Sequence, residues 1–100
     1  MAQRKLVLDF ETRSTVDLRK AGAWRYSEDP TTEVICLSFK LKGRDAPLYR
    51  WEPLRLGEPV PNALDRYARD EDVIFEAHNA GFEQAVWANI MVPRHGLPPL

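Results

Sequence analysis

The stretch Leu6-Val7-Leu8-Asp9-Phe10-Glu11-Thr12 decides the fold of this 100-residue chain. Its apolar part, Leu6–Phe10, predicts a buried strand near the N-terminus. Alternate residues of a strand share a face, so we expect Asp9 and Glu11 to lie side by side. Paired carboxylates repel each other, and a divalent cation such as Mg²⁺ or Mn²⁺ removes that penalty. The other interpretation is a strand end at which both acids are simply solvated.

The rest of the chain predicts three more strands and two helices, separated by turns rich in Gly, Pro and Asn. The predicted strands are Glu33–Leu41, Pro47–Glu52 and Val73–Ala77. The first predicted helix begins at Pro61, and the second covers Phe82–Met91. The predicted connections are Thr12–Glu33 with a helical turn at Val16–Lys20, a turn at Lys42–Asp45, a loop at Pro53–Pro61, and a turn at His78–Gly81 with Asn79 as helix N-cap.

This order predicts a mixed α/β domain: three antiparallel strands, a helix, a parallel strand and a helix. If the first and fourth strands are neighbours, their C-terminal ends meet at one edge of the sheet, where ligands gather. Glu83 would then lie near Asp9 and Glu11, although an acid in the first turn of a helix is also favoured by the helix dipole. No strand follows the last helix, so we expect an open sheet edge and self-association through it.

The amino-acid composition excludes several classes of protein. Lys plus Arg is 14 and Asp plus Glu is 15, so the net charge of −1 excludes a polycation that binds nucleic acid by charge alone. The single Cys36 excludes an internal disulfide and a cysteine-pair zinc site, which favours a reducing compartment. The apolar run at the N-terminus is too short for a signal peptide or a membrane span, so we expect a soluble cytoplasmic protein without a membrane partner.

A basic run over residues 4–25 has Trp24 within it and Tyr26 directly after it. Such interleaving is typical of surfaces that bind single-stranded nucleic acid. The alternative is a solvated segment whose two aromatic side chains belong to the core.

Two separated motifs resemble those of the proofreading 3′→5′ exonucleases. Asp9-Phe10-Glu11-Thr12 resembles their Asp-x-Glu-Thr motif, and the segment His78–Glu83 resembles their Asn-x-x-Phe/Tyr-Asp motif. The string Asp9–Pro30 with Glu33–Leu37, and HNAGFEQAVW with Val92–Gly96, are similar to the N-terminal exonuclease domain of phage-type family A DNA polymerases. The resemblance implies a ribonuclease H-like fold and assigns residues 1–100 to part of such a domain.

The resemblance also implies a chemistry, a substrate and a location. It implies two-metal hydrolysis of the 3′-terminal phosphodiester of single-stranded DNA, with two Mg²⁺ or Mn²⁺ ions held by Asp9, Glu11 and Glu83. Thr12 would contact the terminal nucleotide. Asn79 would position water or phosphate, unless it caps the helix, and Phe82 is either a substrate contact or a core residue. The location would be the cytoplasm of a bacterial host.

Two departures from the family pattern bear on activity. Glu83 stands where the family has Asp, so its carboxylate reaches a different point. The family's third motif, which adds an Asp and a Tyr or His, has no counterpart before Leu100. The expected partners therefore include the rest of a polymerase chain or a complementing fragment. The alternatives are an inactive remnant that binds nucleic acid or protein, and a ribonuclease H or other nuclease of the same fold.

Overall fold

A computed structural model describes residues 3–43 and 45–100 of the protein. It contains four strands, five α-helical segments and one π-helical turn. The strands are β1 (Arg4–Arg13), β2 (Glu33–Leu41), β3 (Tyr49–Trp51) and β4 (Val73–Glu76). The helices are α1 (Leu18–Glu28), α2 (Pro53–Leu56), α3 (Asn62–Arg69), α4 (Ala80–Val86) and α5 (Val92–His95), with the π-helical turn Trp87–Met91 between α4 and α5.

The strands form one mixed sheet in the order β3-β2-β1-β4. β2 pairs antiparallel with both β1 and β3, and β4 pairs parallel with β1. The α/β class, the antiparallel meander and the parallel fourth strand are therefore confirmed. This topology is compatible with a ribonuclease H-like fold.

One face of the sheet packs against the helices. Leu6, Leu8 and Phe10 of β1 are buried, whereas Asp9 and Glu11 between and after them are exposed. The buried side chains join a single core cluster with residues of the helical layer, which are Ala63, Leu64, Val86, Trp87, Ile90, Met91 and Leu97. The predicted alternation along β1 is confirmed, because the apolar residues occupy one face and both acids the other.

The segment between β1 and β2 differs from its prediction. Instead of a long connection with one turn at Val16–Lys20, it contains the eleven-residue helix α1. Asp17 caps this helix through its side chain, which accepts hydrogen bonds from the backbone of Arg19 and Lys20. Gly22 interrupts the helix with φ 81° and ψ 163°, a backbone conformation that favours glycine. The apolar residues of α1 do not follow a helical period, so the pattern concealed it.

Several element boundaries also differ from the sequence-based prediction. The third strand is shorter than Pro47–Glu52, and part of the predicted loop after it is the helical turn α2, which ends at Gly57 with φ 64°. The last helical region begins at Ala80 and continues past Pro93 to His95, through the π-helical turn Trp87–Met91. The predicted turn Lys42–Asp45 includes Arg44, which lies outside the described residues.

The outer edge of β4 pairs with no strand within residues 3–43 and 45–100. Ile74 on this edge strand is 41% exposed. An unpaired apolar edge is a template for association with another chain. We therefore expect the 11.5 kDa protein to show a larger mass by light scattering as its concentration rises. Ile74→Lys should restore the monomer mass, because a charge on an edge strand opposes pairing.

Leu48→Lys is the matched control, since Leu48 is 70% exposed and precedes β3 at the far edge of the sheet. A wild-type protein that stays monomeric at all concentrations, or an equal effect of both substitutions, would contradict this prediction.

Candidate active site

The C-terminal part of β1 extends past the end of its parallel neighbour. The last paired residues are Val7 of β1 and Glu76 of β4. Beyond them, on the edge that β4 no longer covers, the Phe10 N–H donates a hydrogen bond to Glu83 Oε2 at 3.2 Å. Glu83 thus satisfies a buried backbone donor that would otherwise lack a strand partner.

Glu83 reaches this position from the first turn of α4, which follows β4 after a short turn. The residue is only 7% exposed. The pKa of Glu83 is raised to about 7 as the net result of three effects: burial raises it, the hydrogen bond from the Phe10 N–H lowers it, and the negative charge of Asp9 raises it. Burial is the largest of these causes. The two acidic segments therefore meet at one end of the sheet, where the charge of Asp9 acts on the Glu83 carboxylate.

The three acids do not face one cavity. Asp9 lines a depression of about 380 Å³ on the sheet face away from the core, together with Val7, Ser38 and Lys40. Glu83 lines a groove of about 770 Å³ along β4, together with Leu8, Trp24 and Trp87. Within the part of the chain that the structure describes, no group of three or more Asp, Glu, His or Cys residues is arranged to hold a metal ion.

The donor set nevertheless suits a hard divalent cation. Asp9 and Glu11 are exposed and sit two residues apart on β1, and Glu83 approaches the same strand from the other side. Carboxylate oxygens are the ligands that Mg²⁺ and Mn²⁺ prefer, and Mg²⁺ is often held by only one or two of them. The exposed side chain of Glu11 can change rotamer without displacing packed atoms. The three residues match such an ion in side-chain type, but not in the arrangement that the described residues show.

The other predicted site residues take different positions. The Thr12 hydroxyl lies 2.8 Å from the Tyr26 hydroxyl, directly after an irregularity in the β1–β2 register between Glu11 and Thr12. Asn79 is the N-cap residue of α4, but its side chain makes no capping hydrogen bond and is exposed. Phe82 packs against the core, with its ring centroid 6.1 Å from that of Tyr26.

Trp24 in the basic run and Tyr26 directly after it differ in their exposure to solvent. Tyr26 is 7% exposed and belongs to the buried set, whereas Trp24 is 55% exposed and lines the groove that contains Glu83. The sequence analysis did not find that Tyr26 contacts Thr12. The sequence does contain a signal for the helix that carries both aromatic residues, because Asp17 immediately before it is a typical N-cap residue.

The fold is a mixed α/β domain that is compatible with a ribonuclease H-like fold, with Asp9 and Glu11 in the C-terminal part of β1 and Glu83 in the helix after β4. Over 81 residues the chain is 33% identical to a DNA polymerase of Bacillus phage SP02. The match covers 81% of this chain and 12% of that polymerase. The chain is therefore related in sequence to a phage DNA polymerase and spans a small part of that relative's length. No family model matches the chain, and no solved structure matches it.

None of the helices in residues 3–43 and 45–100 is long and apolar enough to cross a membrane.

The raised pKa of Glu83 predicts a pH dependence of stability. An acid with a pKa near 4.5 when unfolded and about 7 when folded binds a proton in the folded state over this interval. The free energy of unfolding should therefore fall as the pH rises from 4.5 to 7, by about 2 kcal/mol. Glu83→Gln keeps an oxygen acceptor for the Phe10 N–H but cannot ionise, so this loss should disappear.

Urea unfolding with EDTA, at pH 5 and pH 7.5, measures the difference between the wild-type protein and the variant. Glu71→Gln, at an exposed acid in the turn before β4, serves as the control. If the wild-type protein and Glu83→Gln lose the same stability between the two pH values, Glu83 does not titrate as predicted.

Proposed function

We propose that this chain is the metal-dependent 3′→5′ exonuclease region of a phage-type DNA polymerase. The observation that carries the proposal is the contact of the Glu83 carboxylate with β1 beside Asp9, which brings the two acidic motifs to one end of the sheet. The similarity to a phage DNA polymerase supports the same assignment. The substrate would be the 3′ end of single-stranded DNA.

Each acid has a distinct part in this proposal. Asp9 and Glu11 present their carboxylates on the exposed face of β1, where a terminal phosphate can approach them from solvent. Glu83 lies at the edge of the same strand and adds a third negative charge when ionised. Two bound Mg²⁺ or Mn²⁺ ions would neutralise these charges, activate water and stabilise the leaving 3′ oxygen. Binding of a cation favours the ionised form of Glu83, so metal affinity should increase through neutral pH.

The side chains around the acids would bind the terminal nucleotide. Thr12 follows Glu11 directly, and Asn79 is exposed at the turn before α4, where its amide can contact a phosphate or a water molecule. Phe82 is partly buried and packs on the core, which favours the structural role for its ring.

Exposed residues of helix α1 would bind the part of the DNA strand that lies beyond the terminal nucleotide. Arg4, Lys5 and Arg13 of the basic run pair with Asp70, Glu76 and Glu33. The remaining cations of the run are exposed on α1 and form no salt bridge with any described residue; they are Arg19, Lys20 and Arg25. Cations beside an exposed indole suit a single strand, because phosphates meet charge and bases stack on the ring.

The first test is cleavage of a single-stranded oligonucleotide labelled at its 5′ end. The 100-residue chain with Mn²⁺ should produce a ladder that shortens from the 3′ end, and Asp9→Asn should reduce the rate at least about a hundredfold because an amide cannot replace the carboxylate charge. Asp65→Asn, on α3 where Asp65 pairs with Arg69, should leave the rate unchanged. An absent ladder even when the rest of the polymerase chain is supplied, or an equal ladder with Asp9→Asn, refutes the exonuclease assignment.

A non-catalytic binding module is the second candidate, and it is favoured by the absence of a three-acid cluster among the described residues. Mn²⁺ titration followed by electron paramagnetic resonance separates the two. Binding of Mn²⁺ and DNA without a ladder identifies the module. Mn²⁺ affinity that is unchanged by Asp9→Asn would show that this acid holds no ion in either case.

Trp24 is the side chain on which we expect a base of the bound DNA to stack. Trp24→Ala should weaken binding of single-stranded DNA by about 1–3 kcal/mol, because stacking of one base is lost. Trp24→Phe keeps an aromatic face and should retain most of the affinity. Fluorescence anisotropy with a labelled oligonucleotide measures both variants, and equal affinity of the wild-type protein and Trp24→Ala would exclude a stacking role.

A further inference from the structure

Tyr26 connects the two acidic segments although it belongs to neither. Its side chain is buried near the C-terminal end of α1. Its hydroxyl lies 2.8 Å from the Thr12 hydroxyl, next to Glu11. Its ring packs against Phe82, next to Glu83, with 44° between the ring planes. One side chain therefore contacts the direct neighbours of two acids that lie 72 residues apart in the sequence.

The backbone around Tyr26 is held by a buried polar network. The Tyr26 carbonyl accepts a 2.6 Å hydrogen bond from the Thr32 hydroxyl, and Thr32 is fully buried. The Ser27 hydroxyl, also fully buried, accepts a 2.8 Å bond from the Asn89 amide on the π-helical turn. Satisfied buried networks are rigid, because an unpaired member would carry a desolvation cost. Tyr26 is thus fixed from the start of β2 and from the helical layer.

The end of β1 is paired in the sheet on one side only, with β2. The β1–β2 register is irregular between Glu11 and Thr12, and β4 pairs with β1 only as far as Val7. A bulge bends its strand and re-aims the adjacent side chains. Glu11 directly precedes this irregularity and Thr12 follows it. The position of Glu11 therefore depends on what holds Thr12, which pairs with Val34 of β2 and contacts the Tyr26 hydroxyl.

We propose that Tyr26 is a positioning residue, which sets the carboxylates of Glu11 and Glu83 relative to each other through its hydrogen bond to Thr12 and its ring contact with Phe82. The importance of this role for catalysis rests on the proposed exonuclease function. Tyr26 itself touches no reacting atom in this assignment.

The test is Tyr26→Phe, which removes only the hydroxyl and keeps the ring on Phe82. The concentration of Mn²⁺ that gives half the maximal exonuclease rate should rise about tenfold, the size typical of residues that orient metal ligands. Amide hydrogen exchange by NMR provides a readout that needs neither metal nor activity. Exchange of the Phe10 and Thr12 amides should become severalfold faster in Tyr26→Phe.

Tyr49→Phe is the matched control, because Tyr49 stacks on Phe39 from β3, two strands away from β1. It should change neither readout. A second check is Thr12→Val: if Tyr26 acts through this hydroxyl, adding Tyr26→Phe to Thr12→Val should produce no further increase in the Mn²⁺ requirement.

The outcomes separate this proposal from the exonuclease assignment. If the wild-type protein cleaves no DNA, amide exchange alone decides whether Tyr26 positions the two segments. Unchanged exchange in Tyr26→Phe overturns the positioning role whatever the activity. Faster exchange with an unaltered Mn²⁺ requirement in an active protein also overturns it, since Tyr26 would then serve stability only.

Discussion

The end of the parallel β1–β4 pairing at Val7 and Glu76 is the constraint on which the site depends. A strand that continues past its neighbour leaves backbone donors on that edge, and each buried donor needs an acceptor. The Phe10 N–H finds its acceptor in the Glu83 carboxylate. The hydrogen-bonding requirement of the sheet therefore brings an acid from α4 to the backbone of Phe10, the residue between Asp9 and Glu11.

This arrangement has an electrostatic cost that a bound cation would offset. Burial and the nearby charge of Asp9 both disfavour the ionised form of Glu83. A stable core alone would be served as well by a neutral acceptor, such as glutamine, at this position. In the proposed exonuclease site the carboxylate would instead serve a divalent ion, since each added negative charge strengthens binding of the ion. Stability and the proposed chemistry thus place opposite demands on one side chain.

Helix α1 links the structural and functional parts of the molecule. Its inner side chains, Tyr26 and Ser27, are buried against β1 and the helical layer, while Trp24 is exposed at the groove beside Glu83. The break at Gly22 divides the helix before this part begins. The same helix can therefore contact the end of β1 and present the Trp24 indole and three cations to solvent.

The sequence by itself determined the mixed α/β class, the full extent of β2, and the separation of Asp9 and Glu11 from the apolar face of β1. These features follow from local patterns, because alternation and β-branched content act within a few residues. It did not reveal α1, whose apolar residues lack a helical period, nor the continuation of the last helical region through Pro93. Only the tertiary structure decided that Glu83 bonds to the backbone of Phe10 and that Tyr26 bonds to Thr12. Both contacts join residues whose pairing depends on where β4 ends and how α1 packs, and neither is encoded in local periodicity.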